Sequence, residues 1–270
     1  MMFEYEFMQR AFLVGIMLAI IIPCIGVVVV LKRLSMVGDA LSHTSLAGVA
    51  TGLIFNFNPI LGAVAACSLA AFGIDAIRKK IPKYSEMSIA IIMSAGIGLA
   101  GVLSGFVQNA QSFNSFLFGS IVAISDFELQ LVIVISFIVL ITFIILYKEL
   151  FYISFDEQSA KLAGVPVRLV NFIFTLLTAV TVSIAARTVG ALIVSSMMVV
   201  PVACAMQVAK SYKKTVLWSI GFAILFTLSG LTISYYLGLK PGGTIVLCGV
   251  ITLLFVFAFM RLRSHRSVQM

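Results

Sequence analysis

Asp39 and His43 are the pair of residues best suited to chemistry in this sequence. They are four positions apart, so they share one face if the segment is helical. A carboxylate oxygen and an imidazole nitrogen are ligand types that first-row divalent metals accept. In a simpler interpretation, Asp39 caps a helix and His43 forms a hydrogen bond inside the protein. The spacing alone leaves both interpretations open.

Glu86 is a third possible metal ligand. It stands at the start of an apolar run, where an acid complements the positive end of a helix dipole. An acid at the edge of a membrane segment can also belong to an ion pathway. The helix-start interpretation is simpler, and metal contact by Glu86 remains the alternative.

The elements that would position these residues are apolar throughout. Of the 270 residues, 61% are hydrophobic and only 10% are charged, whereas about a quarter of a soluble domain is charged. Many apolar runs, each with at most one charged residue, approach the roughly 20 residues needed to cross a bilayer. They lie at 11–31, 40–55, 59–77, 87–107, 127–147, 168–186, 190–209, 215–237 and 243–260. The sequence predicts an all-α membrane protein, a polytopic helical bundle of about nine spans in a single domain, residues 1–270.

Basic residues set the predicted orientation of these spans. With the N-terminus outside, 15 of the 18 Lys and Arg residues fall in cytoplasmic loops or in a cytoplasmic C-terminal tail. The three left outside are Arg10, Arg187 and Lys240. The net charge of +8 therefore reflects membrane topology, and no nucleic-acid partner is predicted.

Two features of the apolar segments indicate helix packing rather than chemistry. Gly48 and Gly52 form a G-x-x-x-G pair, which lets another backbone approach closely. Pro201 removes one hydrogen bond from the seventh predicted span and predicts a kink there.

The loop after the fifth span predicts a short cytoplasmic helix at about 154–164. It has a polar start, acids in its first turn and a Gly-Val-Pro stop at Gly164–Pro166. Its apolar residues could lie on the membrane surface or dock into a groove on a cytoplasmic partner. The residues alone favour neither the membrane surface nor the partner groove.

The stretch 31–50, which contains Asp39 and His43, resembles the second-helix signature of bacterial zinc/manganese ABC importer permeases. Later blocks of the chain resemble the same family in the same order, so that the resemblance covers nearly the whole sequence. They are 118–122, 154–164 and 189–194 followed by Pro201.

The resemblance implies a type II ABC importer fold in the bacterial cytoplasmic (inner) membrane. It implies a homodimer of this permease, two copies of a cytoplasmic ATP-binding subunit and an extracellular or periplasmic metal-binding protein. Asp39 and His43 would contact the transported divalent metal. The short helix would be the coupling helix seated in the ATPase, with the residues Phe155, Asp156, Glu157, Ala160, Lys161 and Gly164. The chain would then be a transporter permease and not an enzyme, with no permanently bound cofactor.

Zinc is the predicted metal, with manganese or iron as alternatives. The segments 38–48 and 5–12 are more similar to the zinc-importing branch of the family. An isologous dimer doubles any ligand near its axis, so two Asp39–His43 pairs would supply four N/O ligands, which suits zinc.

Other functions fit the sequence less well. An ATP-independent secondary metal carrier needs ionisable residues on several spans, yet Asp39 nearly stands alone. An intramembrane aspartyl protease needs two carboxylates at one site, and Asp75, the other candidate, lies beside a basic cluster. The sequence contains no G-x-x-x-x-G-K-[ST] phosphate loop, so ATP hydrolysis is expected on a separate subunit.

Overall fold

The structure, a computed structural model, describes residues 4–81, 84–107 and 124–268, and these residues form eleven α-helices and no strand. The helices are α1 (Glu6–Leu31), α2 (Val37–Ile54), α3 (Pro59–Lys80), α4 (Ser85–Ser104), α5 (Asp126–Ile145), α6 (Tyr147–Phe155), α7 (Glu157–Leu162), α8 (Val167–Thr188), α9 (Ala191–Val208), α10 (Tyr212–Leu237) and α11 (Pro241–Val268). The motif block at 118–122 lies outside the described residues.

Each predicted span falls on one of these helices, and α6 and α7 are the short segments between α5 and α8. Within the described ranges, seven helices are long and apolar enough to cross a membrane: α1, α3, α4, α5, α8, α10 and α11. The helix α9 contains a shorter apolar stretch, Ile193–Val208. The helix α2 is rich in small and hydroxylated residues. The all-helical architecture is confirmed, and the count of nine crossings stays a prediction.

The helix α1 lies at the centre of the bundle. Its most apolar stretch is 72% buried, against 17% for that of α11. A helix that is apolar around its whole circumference requires other helices on all sides, and α1 packs against α5, α9 and α10. Because other helices surround α1, the packing of the core fixes the position at which the chain turns from α1 into α2.

The helix α2 packs mainly against α3 and α4, and also against α9 and α8. Gly48 of α2 lies directly against Gly62 of α3: a Cβ added to either glycine would overlap the carbonyl oxygen of the other. At the turn into α3, a Cβ on Gly52 would lie 2.7 Å from the Cα of Pro59. Small residues at this spacing bring the two backbones into contact.

Pro201 lies inside α9, where its missing N–H removes one main-chain hydrogen bond. One turn earlier, the carbonyl oxygen of Met198 would overlap a Cβ added to Gly26 of α1. The helix α9 is thus held against α1 next to the proline, and the kink itself stays a prediction.

Ion pairs join three helices at one end of the bundle. Arg10, near the start of α1, pairs with Asp126 at the start of α5 at 2.7 Å. Arg187, in the last turn of α8, pairs with Glu128 of α5 at 2.8 Å. The start of α1 and the end of α8 therefore share this end, and α7, which precedes α8, belongs to the opposite end.

We expect Gly48→Ala to destabilise the protein, because the added methyl group would overlap backbone atoms of Gly62 that cannot rotate away. Overpacking of this kind costs about 1–3 kcal/mol, so the thermal unfolding temperature in detergent should fall. Gly98→Ala in α4 is the matched control, since nothing lies within 4 Å of its Cβ position. Equal unfolding temperatures for the two variants would contradict the contact between α2 and α3.

Candidate functional site

Asp39 and His43 occupy the most open face of α2. Both side chains are half-buried, whereas every other residue from Val37 to Ala50 is buried. They lie one helical turn apart, so their side chains project from the same side of the helix. The two candidate metal ligands therefore face the side of α2 that the rest of the chain covers only partly.

Neither side chain forms a hydrogen bond or ion pair with another residue in the described part of the chain. Asp39 is not the N-cap residue of α2, because the helix begins earlier. The N-cap residue is Met36, and no side chain caps the helix. Asp39 stands third in the helix, in its first turn. Its carboxylate and the imidazole of His43 are therefore both available to a ligand.

Neighbouring helices hold α2 from its other sides. A Cβ on Gly38 would lie 3.3 Å from the Cα of Ser195 in α9. The thiol of Cys67 in α3 donates a hydrogen bond to the carbonyl oxygen of Leu41 at 3.2 Å. These contacts fix the rotation of α2 about its own axis, and with it the direction in which Asp39 and His43 point.

One copy of the chain brings two candidate metal ligands together at this place. Among the described residues, no three His, Cys, Asp or Glu side chains form a group that could hold a metal ion. Glu86 lies exposed in the first turn of α4 and does not complete such a group. Any fuller coordination shell needs ligands from outside the described chain.

The predicted short helix at 154–164 is two helices in the structure, separated at Asp156. Phe155 is the last residue of α6, and α7 covers only Glu157–Leu162. Asp156 caps α7: its Oδ1 accepts hydrogen bonds from the N–H groups of Gln158 at 2.9 Å and Ser159 at 3.2 Å. The hydroxyl of Ser159 and then these N–H groups lower the pKa of the Asp156 carboxyl.

Ser154, the predicted start of this helix, instead belongs to α6. It is buried, and its hydroxyl donates to the carbonyl oxygen of Leu150 at 2.6 Å. The predicted stop is observed, because Gly164 has a φ of +84°, a left-handed conformation that favours glycine. The correction shortens the helix to six residues and places its cap at Asp156.

The segment α6–α7 exposes large apolar side chains. Leu162 is 90% exposed and Phe155 is 66% exposed, whereas Ala160 between them is buried. Ala160 holds α7 in place while the larger apolar groups face away from the bundle. An apolar surface of this kind at the end of the bundle is suited to contact with a partner or a membrane surface.

Asn171 connects α7 to the end of α1, a link that the sequence did not reveal. Its Oδ1 accepts a hydrogen bond from Lys32 Nζ at 2.7 Å, and its Nδ2 donates to Glu157 Oε1 at 3.2 Å. Lys32 caps the end of α1, beyond the spanning segment. Burial first, and then the charge of Arg78, lower the pKa of Lys32 to about 8, while Glu157 raises it. In the sequence, this link is indicated only by the single Asn within the apolar run of α8.

A small cavity lies beside this link. Its volume is about 50 Å³, and its lining includes Lys32, Asn171, Asp75 and Arg78. Asp75 pairs with Arg78 at 2.9 Å and with Lys79 at 2.6 Å. Charges from α1 and α3 are thus gathered at the end of the bundle where α7 lies.

The whole described bundle matches one family of transport proteins. The sequence agrees with the profile of the ABC 3 transport family over residues 4–261. The chain belongs to this family. It is therefore a membrane permease of the ABC transporter class, as the resemblance of its motifs indicated.

Relatives of this ABC 3 family member carry the names of two different metals. The manganese transport system membrane protein MntC of Listeria innocua is 32% identical over 95% of this chain and 91% of its own length. The high-affinity zinc uptake system membrane protein ZnuB of Haemophilus influenzae is 29% identical over 95% of this chain and 98% of its own length.

A solved structure has the same fold. PsaBC from Streptococcus pneumoniae, determined in complex with a Fab, matches with a TM-score of 0.85 at 29% identity, covering 95% of this chain and 92% of the matched chain. The helical arrangement described above is thus that of an ABC permease.

Proposed function

We propose that this protein is the permease subunit of an ATP-driven importer of a divalent metal, and that Zn²⁺ is its substrate. The observation that carries the proposal is the Asp39–His43 pair, half-buried and without a partner in the described chain. Ionisable groups within an apolar protein are costly and mark pathways or binding sites. The relatives named for manganese and zinc transport support a metal as the substrate.

Two copies of the chain form the translocation pathway in this proposal. Each copy offers one carboxylate and one imidazole, and a two-fold axis close to α2 brings both pairs together. Four N/O ligands match the tetrahedral coordination of Zn²⁺. Because the shell is assembled from two subunits, a change in their separation releases the ion, as transport requires.

Manganese is the second candidate substrate. It is favoured by the manganese-named relative, which is 32% identical to this chain, against 29% for the zinc-named one. Carboxylate and imidazole ligands bind both metals, so the ligand types do not separate them. The two metals differ instead in coordination number, since Zn²⁺ favours four ligands in a tetrahedron and Mn²⁺ favours octahedral, oxygen-rich sites.

ATP hydrolysis takes place on a separate cytoplasmic subunit in this proposal. The exposed Leu162 and Phe155 insert into a groove of that subunit, one ATP-binding subunit for each permease. The membrane is the bacterial cytoplasmic membrane, with the N-terminus outside and the C-terminus in the cytoplasm. An external metal-binding protein delivers the ion to the opposite face.

We expect Asp39→Asn and His43→Gln to lower zinc uptake by at least about tenfold, because each removes a metal ligand or its charge. The measurement is ⁶⁵Zn uptake by cells with matched membrane levels of each variant, with ⁵⁴Mn uptake run in parallel. Thr51→Val is the control, since Thr51 is half-buried on the same helix and bonds only to the Ala47 carbonyl. Undiminished uptake in both variants would refute the metal role, and loss of manganese uptake alone would favour manganese.

The dimer hypothesis predicts that position 43 lies close to its copy in the partner subunit. We expect His43→Cys, in a background where the four native cysteines are replaced by Ala, to give a crosslinked dimer with a short thiol-reactive bifunctional reagent. Leu69→Cys is the control, because its side chain is exposed but lies on α3 and not on the open face of α2. Crosslinking at position 69 but not at 43 would place the axis elsewhere.

We expect Leu162→Asp to weaken binding of the ATP-binding subunit by at least about tenfold, because a charge replaces a fully exposed apolar anchor. Copurification of the two subunits in detergent measures this binding. Gln158→Asp is the control, since it adds the same charge to the same short helix without removing an apolar group. Equal loss of binding in both variants would show that charge, and not apolar contact, governs docking.

A further inference from the structure

The hydrogen-bonded link Lys32–Asn171–Glu157 crosses from the centre of the bundle to α7. Lys32 lies 139 positions from Asn171 in sequence, and Asn171 lies 14 positions from Glu157. Three elements meet in these two bonds: the end of α1, the first turns of α8, and the short helix α7.

We propose that Asn171 is the positioning residue that transmits movement of α7 to the helix that bears Asp39 and His43. This inference rests on the proposed function, because it assigns a mechanical role within the same transport cycle. It concerns how the metal pair is moved and not whether the pair binds metal.

The chemistry of the asparagine side chain suits this role. Its carbonyl oxygen accepts from the Lys32 ammonium while its amide group donates to the Glu157 carboxylate. An aspartate in its place could accept from Lys32 but would repel Glu157, and a leucine could bond neither. The amide therefore joins a cation and an anion that do not bond to each other directly.

The Lys32 end of the link is held tightly. Lys32 is half-buried, and separation from Asn171 would leave its ammonium group without this hydrogen-bond acceptor, which costs free energy. The Nζ atom of Lys32 also lies 5.9 Å from the centre of the Phe174 ring. When α8 and α7 shift, Lys32 is expected to follow Asn171.

The turn from α1 to α2 carries this movement onward. The N–H of Leu34 donates to the Val29 carbonyl at 2.9 Å, and the N–H of Val37 donates to the Leu34 carbonyl at 2.9 Å. Leu34 and Val37 are buried as well. A displacement of Lys32 therefore reaches the first turn of α2, which contains Asp39.

The Glu157 end is the part that a partner can move. Glu157 is the first residue of α7 and is exposed, next to the Asp156 cap. Its bond to Asn171, at 3.2 Å, is the longer of the two. A subunit bound to Leu162 and Phe155 thus acts on the link at its outer end.

The test uses the full transporter in proteoliposomes, with metal uptake and ATP hydrolysis measured on the same preparation. We expect Asn171→Asp, which breaks the Glu157 half of the link, to reduce Zn²⁺ taken up per ATP hydrolysed by about tenfold. ATP hydrolysis and copurification of the ATP-binding subunit should stay within about twofold of wild type. Asn171→Leu should behave likewise, and Asn171→Gln should recover part of the coupling.

Thr175→Val is the matched control, because Thr175 lies one turn along α8 and lines the same cavity. It should leave uptake per ATP unchanged. Normal uptake per ATP in Asn171→Asp would overturn the inference. So would parallel loss of uptake, ATP hydrolysis and subunit binding, since that pattern indicates a folding or docking role. Failure of the wild-type protein to take up Zn²⁺ or Mn²⁺ would instead overturn the proposed function.

Discussion

The burial of α2 is the constraint on which the rest of this structure depends. A helix that carries an acid and a histidine in an apolar protein is stable only if its other faces are well packed. The contacts Gly48–Gly62, Cys67–Leu41 and Gly38–Ser195 provide this packing from α3 and α9. Small residues are required at these points because a larger side chain would push α2 away and turn its open face.

The two ends of the bundle differ in how their charged groups are paired. At the end that contains Arg10, charged side chains pair directly with carboxylates of α5. At the other end, Lys32 meets a neutral amide, and the carboxylate of Glu157 lies beyond it. At this second end the exposed Glu157 forms the longer bond of the link, at 3.2 Å, whereas the bond from Lys32 is 2.7 Å. The second end is therefore the one suited to rearrangement.

The sequence predicted what depends on residue type and local spacing. The helical spans follow from long apolar runs, and the Asp39–His43 face follows from a four-residue spacing. The start of α7 was misplaced because Ser154 and Asp156 are both good N-cap residues. Asp156 is the cap because its carboxylate reaches two N–H groups, while the Ser154 hydroxyl bonds back to Leu150. The partners of Lys32 could not be predicted, since contacts across 139 positions depend on how the helices assemble.

The ion pairs of α5 distinguish the helices at one end of the bundle from those around α2. Through Asp126 and Glu128, α5 is tied to both the first turns of α1 and the last turn of α8. These three helices are therefore joined at that end by two ion pairs, one between α1 and α5 and one between α5 and α8. The helices α3 and α4 have no such ion pair with α5 among the described residues and pack around α2. The close contacts that hold α2, at Gly48–Gly62 and Gly38–Ser195, are instead made by small residues, so the direction in which Asp39 and His43 face depends on backbone packing.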